Sequence, residues 1–119
     1  MHEMALMDEI LLVIEQDSKG KGIEMIEKVE LIVGEISNVM PEALTMAFDI
    51  FKEQNPHFLK KEAELIIHFE EAQAECVLCG QQYKPDQRIA ICPDCQFPSG
   101  KITSGETFEI LSYEGRGRE

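Results

Sequence analysis

Tryptophan is absent from the 119-residue chain, and aromatic residues make up only 7% of it. Large stacking platforms for single-stranded nucleic acid are therefore not expected. Basic residues are scarce: 11 lysines and arginines stand against 23 aspartates and glutamates, giving a net charge of −12. Such a field repels phosphate backbones and favours cations and basic protein surfaces, although for most single carboxylates solubility is the simpler role. Long hydrophobic runs are missing too. The longest near the amino terminus, Ile10 to Ile14, is far too short to span a bilayer. The start, Met1-His2-Glu3-Met4-Ala5-Leu6-Met7-Asp8-Glu9, lacks the basic stretch of a secretory leader and is interrupted early by acids. A soluble, cytoplasmic protein that touches neither membrane nor nucleic acid is expected. Catalytic signatures are also missing. In Gly100-Lys101-Ile102-Thr103, Ile102 stands where a phosphate loop needs serine or threonine, and no glycine sits at the required upstream position. No Ser-His-Asp or Cys-His arrangement suggests a nucleophile, so the chain is not expected to be an enzyme.

Apolar residues at 44% and charged residues at 29% describe a globular chain. Its length suffices for one modest core, or one core plus a small metal-stapled lobe. Met4, Met7, Leu11 and Ile14 recur at spacings of 3, 4 and 3, which predicts a helix from about residue 3 to 17. Gly20 and Gly22 break it. From Lys28 to Gly34, Val29, Leu31 and Val33 share one face of a strand. Pro41 suits the first position of a second helix, with Glu42 at its positive end; Leu44, Ala47, Phe48 and Phe51 form its apolar face, and it ends near Asn55-Pro56. A second strand covers 62–71, with Leu65, Ile67 and Phe69 on one face. A third covers Gly105 to Tyr113, and the tail from Glu114 is expected to fray. The last strand should return to the first sheet, since two strands alone are marginal. The expected fold is α+β: a small mixed sheet of about three strands with two helices, plus an inserted zinc-ribbon-like four-cysteine lobe. The domains expected are 1–73 with 99–119, discontinuous, and 74–98 for the cysteine lobe.

The four cysteines are the sharpest signal. Cys76-Val77-Leu78-Cys79 and Cys92-Pro93-Asp94-Cys95 are separated by twelve residues. Each C-x-x-C turn spans one edge of a tetrahedron, and two such turns on a hairpin close it around zinc at Zn–S of about 2.3 Å. Gly80 fits a turn that needs a permissive backbone. Four thiolates leave no open position, which points to structural rather than catalytic zinc. A loop of this size has no core, so metal must supply its folding energy. Disulfides would need an oxidising compartment, and a thioredoxin-like pair would need one C-x-x-C rather than two facing each other; four thiolates could also hold an iron–sulfur cluster, but this spacing is ribbon-like. A bound zinc makes the net charge about −14.

His2 offers a second metal possibility. The α-amine of Met1, the amide nitrogen of His2 and its imidazole can form fused chelate rings around Ni(II) or Cu(II), which favour flat, nitrogen-rich ligation. Glu3 can add a carboxylate or its amide nitrogen. By spacing alone, a surface histidine at a helix start is the simpler reading. His57 in a loop, His68 on a strand between glutamates, and the helical Met4 and Met7 likewise read first as surface, sheet and core residues.

The combination carries more than its parts. Met1-His2-Glu3-Met4-Ala5-Leu6, then Val33-Gly34-Glu35-Ile36-Ser37, Pro41-Glu42-Ala43-Leu44, the paired cysteine turns and the stretch from Gly100 to Ser112 resemble the HypA/HybF family over essentially the whole chain. Its members are nickel metallochaperones of nickel–iron hydrogenase maturation. The resemblance implies nickel held by Met1, His2 and Glu3 and zinc held by Cys76, Cys79, Cys92 and Cys95. It also implies a GTPase nickel chaperone and the hydrogenase large subunit as partners, with urease maturation a second possible client. Some members add a ligand before the second helix, for which Glu42 is the candidate here. Some place histidines beside the cysteines; this chain has none there, so no imidazole switch at the zinc is expected. Monomer and homodimer both fit. The alternative is an acidic zinc-ribbon adaptor or regulatory protein without nickel transfer.

Overall fold

A computed structural model describes residues 2–85 and 90–117. The chain forms α1 (Glu3–Lys19), β1 (Ile23–Gly34), α2 (Pro41–Gln54), β2 (Leu59–Glu70), β3 (Gln73–Cys76), β4 (Gln82–Tyr83), β5 (Gly100–Ser104) and β6 (Phe108–Gly117). Two three-stranded sheets result, in the orders β2-β1-β6 and β4-β3-β5. The first is mixed: β2 runs parallel to β1, with α2 as the crossover, and β6 returns antiparallel on β1's other edge. The expected α+β architecture and the return of the last strand are both present, with the cysteine lobe inserted between β2 and β6.

Both helices cover one face of the first sheet. Val29, Leu31 and Val33 are fully buried beneath Met7, Ile14, Leu44, Ala47 and Phe48, and Leu65, Ile67, Phe108, Ile110 and Tyr113 pack against this core. Each fully buried large side chain contributes about 1.5–3 kcal/mol. The helices run side by side in the same sense: the Glu3 carboxylate accepts the Met40 N–H at 3.1 Å, while Leu11 and Leu12 lie beside Phe51 and Gln54. Both helix starts therefore sit at the carboxyl ends of β1 and β2, the end from which the chain leaves for the cysteine lobe. The described residues extend 61 × 24 × 19 Å. No described helix is long and apolar enough to cross a membrane.

Several expectations needed revision. β1 begins at Ile23, not Lys28, because register shifts between Ile26 and Lys28 interrupt the alternation. β6 begins at Phe108 rather than Gly105, since Gly105 turns at φ 106. The tail does not fray at Glu114; β6 continues to Gly117, with Gly115 paired to Ile26 and Arg116 bonded to Glu27 at 3.1 Å. Met7 is core as expected, but Met4 is 43% exposed. Phe69 is 57% exposed, although Leu65 and Ile67 on its face pack inward and its β1 partner Val33 is fully buried.

Candidate metal centres

The cysteine lobe is built from two turns of the same design. In the first, Gly80 N–H donates to Cys76 O at 2.9 Å and Cys76 N–H to Gln81 O at 2.9 Å; in the second, Gln96 N–H donates to Cys92 O at 2.8 Å and Cys92 N–H to Phe97 O at 3.0 Å. Cys79 N–H points to Cys76 Sγ at 3.5 Å and Cys95 N–H to Cys92 Sγ at 3.4 Å. The residue after each second cysteine is left-handed: Gly80 at φ 78 and Gln96 at φ 59. Among the described residues from 72 to 104, those buried besides Cys76 and Cys92 are Ala72, Ala74, Pro85 and Ala90.

The four sulfurs lie within 4.8 Å of one another. Cys76 and Cys95 Sγ are 3.9 Å apart, and Cys79 and Cys92 Sγ 3.7 Å. A tetrahedron with Zn–S of about 2.3 Å has edges of about 3.8 Å, so the donor set fits zinc. Zinc bound there supplies folding energy by holding four thiolates that would otherwise repel. The surroundings already favour a charged sulfur at one corner. The Ser99 hydroxyl, 3.1 Å from Cys76 Sγ, lowers that thiol to about 6, helped by the N–H groups of Cys79 and Leu78. Cys95, facing Cys79 above all, is pushed up to about 12. A divalent cation relieves this opposition. Ser99 had no sequence signal, because no spacing rule marks a hydroxyl four positions after a cysteine.

At the other site, Met1 lies outside the described residues. His2 is exposed and caps α1 with extended backbone, φ −95 and ψ 92; its carbonyl accepts the first helical bond from Leu6 N–H at 3.0 Å. A helix start leaves its first amide nitrogens without intrahelical acceptors, so those of His2 and Glu3 are not committed to the helix ladder. The Met40 N–H holds the Glu3 carboxylate below the ordinary carboxylate range. Glu42 is exposed in the first turn of α2. His2, Glu3 and Met4 face Ala43, Met46, Ala47 and Ile50 across a groove of about 320 Å³. His57 is exposed, and the His68 side chain is 49% exposed against Glu30 at 3.1 Å; neither approaches a described metal cluster.

The model of the family described as "Hydrogenase/urease nickel incorporation, metallochaperone, hypA" matches residues 1–115. The chain belongs to the HypA family. The hydrogenase maturation factor HypA of Moorella thermoacetica is 36% identical over 115 residues, covering 97% of this chain and 99% of the relative. That of Aquifex aeolicus is 31% identical over 114 residues, covering 96% of each. The solution structure of the Ni metallochaperone HypA from Helicobacter pylori superposes with a TM-score of 0.65 at 28% identity, covering 99% of this chain and 100% of the other. HypA is a family of metallochaperones for nickel incorporation, and the four-cysteine cluster gives this member its zinc site.

Proposed function

We propose that this chain takes Ni(II) at its amino terminus through Met1, His2 and Glu3 and hands it on during maturation of a nickel–iron hydrogenase, while Cys76, Cys79, Cys92 and Cys95 hold a structural zinc. One observation carries the reading: a HypA chain matched over residues 1–115 joins the Met1-His2-Glu3 start to a closed cluster of four thiols. The amine, amide and imidazole nitrogens suit square-planar Ni(II). An exposed terminal site suits transfer, since its ligands can leave one at a time. Nickel binding requires deprotonated donors, so affinity falls with pH. The zinc lobe holds its shape and presents a docking surface. The receiving partners on this reading are a GTPase nickel chaperone and the hydrogenase large subunit in the cytoplasm, with urease a second client. The zinc-binding domain, expected at 74–98, extends on this reading over β5, because Gly100–Ser104 pairs with β3; the nickel-binding α/β domain is then 1–72 with 105–119.

The test compares nickel binding by untagged, zinc-loaded protein with that of a version carrying extra residues before Met1 and with His2→Ala. Each change should weaken nickel binding by more than about tenfold, since loss of a ligand exceeds the usual effect of an outer-shell change. Zinc content should stay the same. Tight nickel binding that survives both changes refutes the amino-terminal site.

A further inference from the structure

Two connections join the α/β domain to the cysteine lobe, from Glu70 out to Gln73 and from Ser104 back to Phe108. Both pass the end of β1. Here Gly34 N–H donates to Thr107 O at 2.6 Å, Glu35 N–H to Glu70 O at 2.8 Å and Ile36 N–H to Gly105 O at 2.8 Å. Two carboxylates bind the crossing. Glu35 Oε1 accepts the Ala72 N–H of the outgoing connection at 2.9 Å, and Glu70 Oε1 accepts the Gly105 N–H of the returning one at 2.6 Å. The second oxygen of Glu35 lies 3.2 Å from the Lys84 ammonium, which the lobe supplies just after β4.

We infer that Glu35 and Glu70 are positioning residues that lock the cysteine lobe in one orientation on the α/β domain, with Lys84 as the latch on the lobe's side. The backbones here are in direct contact. A Cβ on Gly105 would stand 2.5 Å from Ala72 Cα, and one on Gly34 would enter the Gly105 carbonyl. Ala72 is fully buried, so its N–H needs the Glu35 carboxylate; left unpaired, such a group is costly. Both carboxylates are held below the ordinary range, Glu35 by the Ala72 N–H and then Lys84, and Glu70 by the Gly105 N–H. They are therefore ionised at neutral pH, where their hydrogen bonds are strongest. The same loop ends at Met40, whose N–H holds Glu3. The lock thus sets where the lobe stands relative to the amino terminus.

The alternative is a lobe that swings on two linkers, the default for small inter-domain contacts. Residual dipolar couplings on the zinc-loaded full chain distinguish the two. In the native protein, amides of both lobes should fit one alignment tensor. Glu35→Ala should require two tensors, with reduced couplings in the lobe. Glu35→Gln keeps an oxygen for the Ala72 N–H but loses the charge, so it should match the smaller loosening of Lys84→Ala. Exposed Glu62→Ala should fit one tensor, as the native protein does. Two tensors for the native protein overturn the inference, as does one tensor with unchanged lobe couplings in both Glu35→Ala and Lys84→Ala. Lys84 is exposed and outside the core, so its variant decides the matter if Glu35→Ala does not fold.

Discussion

Gly80 and Gln96 occupy equivalent places in the two cysteine turns, each left-handed and each following the second cysteine of its pair. The turn geometry demands the conformation, not the residue. A Cβ built on Gly80 meets nothing within 4 Å, so a substitution there tests backbone strain alone. The left-handed region costs a side-chain-bearing residue roughly 1–2 kcal/mol. Gly80→Ala should therefore weaken the lobe by about 1 kcal/mol. Gln96→Gly should strengthen it by about 0.5–1 kcal/mol, once the extra freedom of glycine in the unfolded chain is subtracted. Because metal binding and folding of the lobe are linked, the readout is zinc competition with a chelator: a few-fold loss of zinc affinity for the first variant and a few-fold gain for the second.

At the scale of elements, the lobe's three strands have four, two and five residues, and among the described residues the side chains buried with Cys76 and Cys92 are three alanines and Pro85. So little apolar surface cannot offset the entropy of ordering the loop. Removing zinc with a chelator should collapse amide protection from Gln73 to Ser104 while leaving that of α1, α2, β1 and β2 intact; hydrogen exchange measures both together. Protection that persists throughout the metal-free lobe would show that the protein chain alone folds it. The same imbalance decided what could be read in the sequence. Long elements with a core announced themselves: the spacing of Met7, Leu11 and Ile14 gave α1, and Leu44, Ala47 and Phe48 gave α2. The cysteine spacing gave the metal turns outright. β5 was missed because Gly100-Lys101-Ile102-Thr103-Ser104 has no apolar alternation, and it is a strand only through its pairing with β3. The last residues of β6 were missed for a related reason. A tail from Glu114 is expected to fray, yet Gly115 and Gly117 lie against β1's backbone and Gly22, where a Cβ would not fit without a shift. Glu35, Glu70 and Ser99 showed no pattern at all, since their partners are backbone groups and a sulfur brought close only by the finished fold.

Over the whole molecule, two electrostatic effects of opposite sign compete as pH falls. The net charge of −12 repels itself at neutral pH, and this repulsion weakens toward the isoelectric point near 4.6. Against it stand carboxylates whose folded-state pKa lies below the ordinary 4.5: Glu27 beside Lys60, Glu30 beside Ser112 and His68, Glu35 on the Ala72 N–H and Glu70 on the Gly105 N–H. Because these groups are depressed in the folded state, the unfolded chain takes up protons first. Their stabilisation is complete above about 4.5 and disappears as pH drops through the lower folded values. At low salt, stability of the α/β domain should therefore rise modestly from pH 7 toward 5 and then fall below 4.5. High salt should flatten the rise, which depends on long-range repulsion between exposed charges, and leave most of the fall, which depends on short hydrogen bonds. Urea unfolding followed by the helical circular dichroism signal isolates this domain, since α1 and α2 are the described helices and both lie in it. A rise that survives high salt would mean that self-repulsion is not its cause. The absence of a fall below 4.5 would mean that the carboxylate contacts do not hold the fold together.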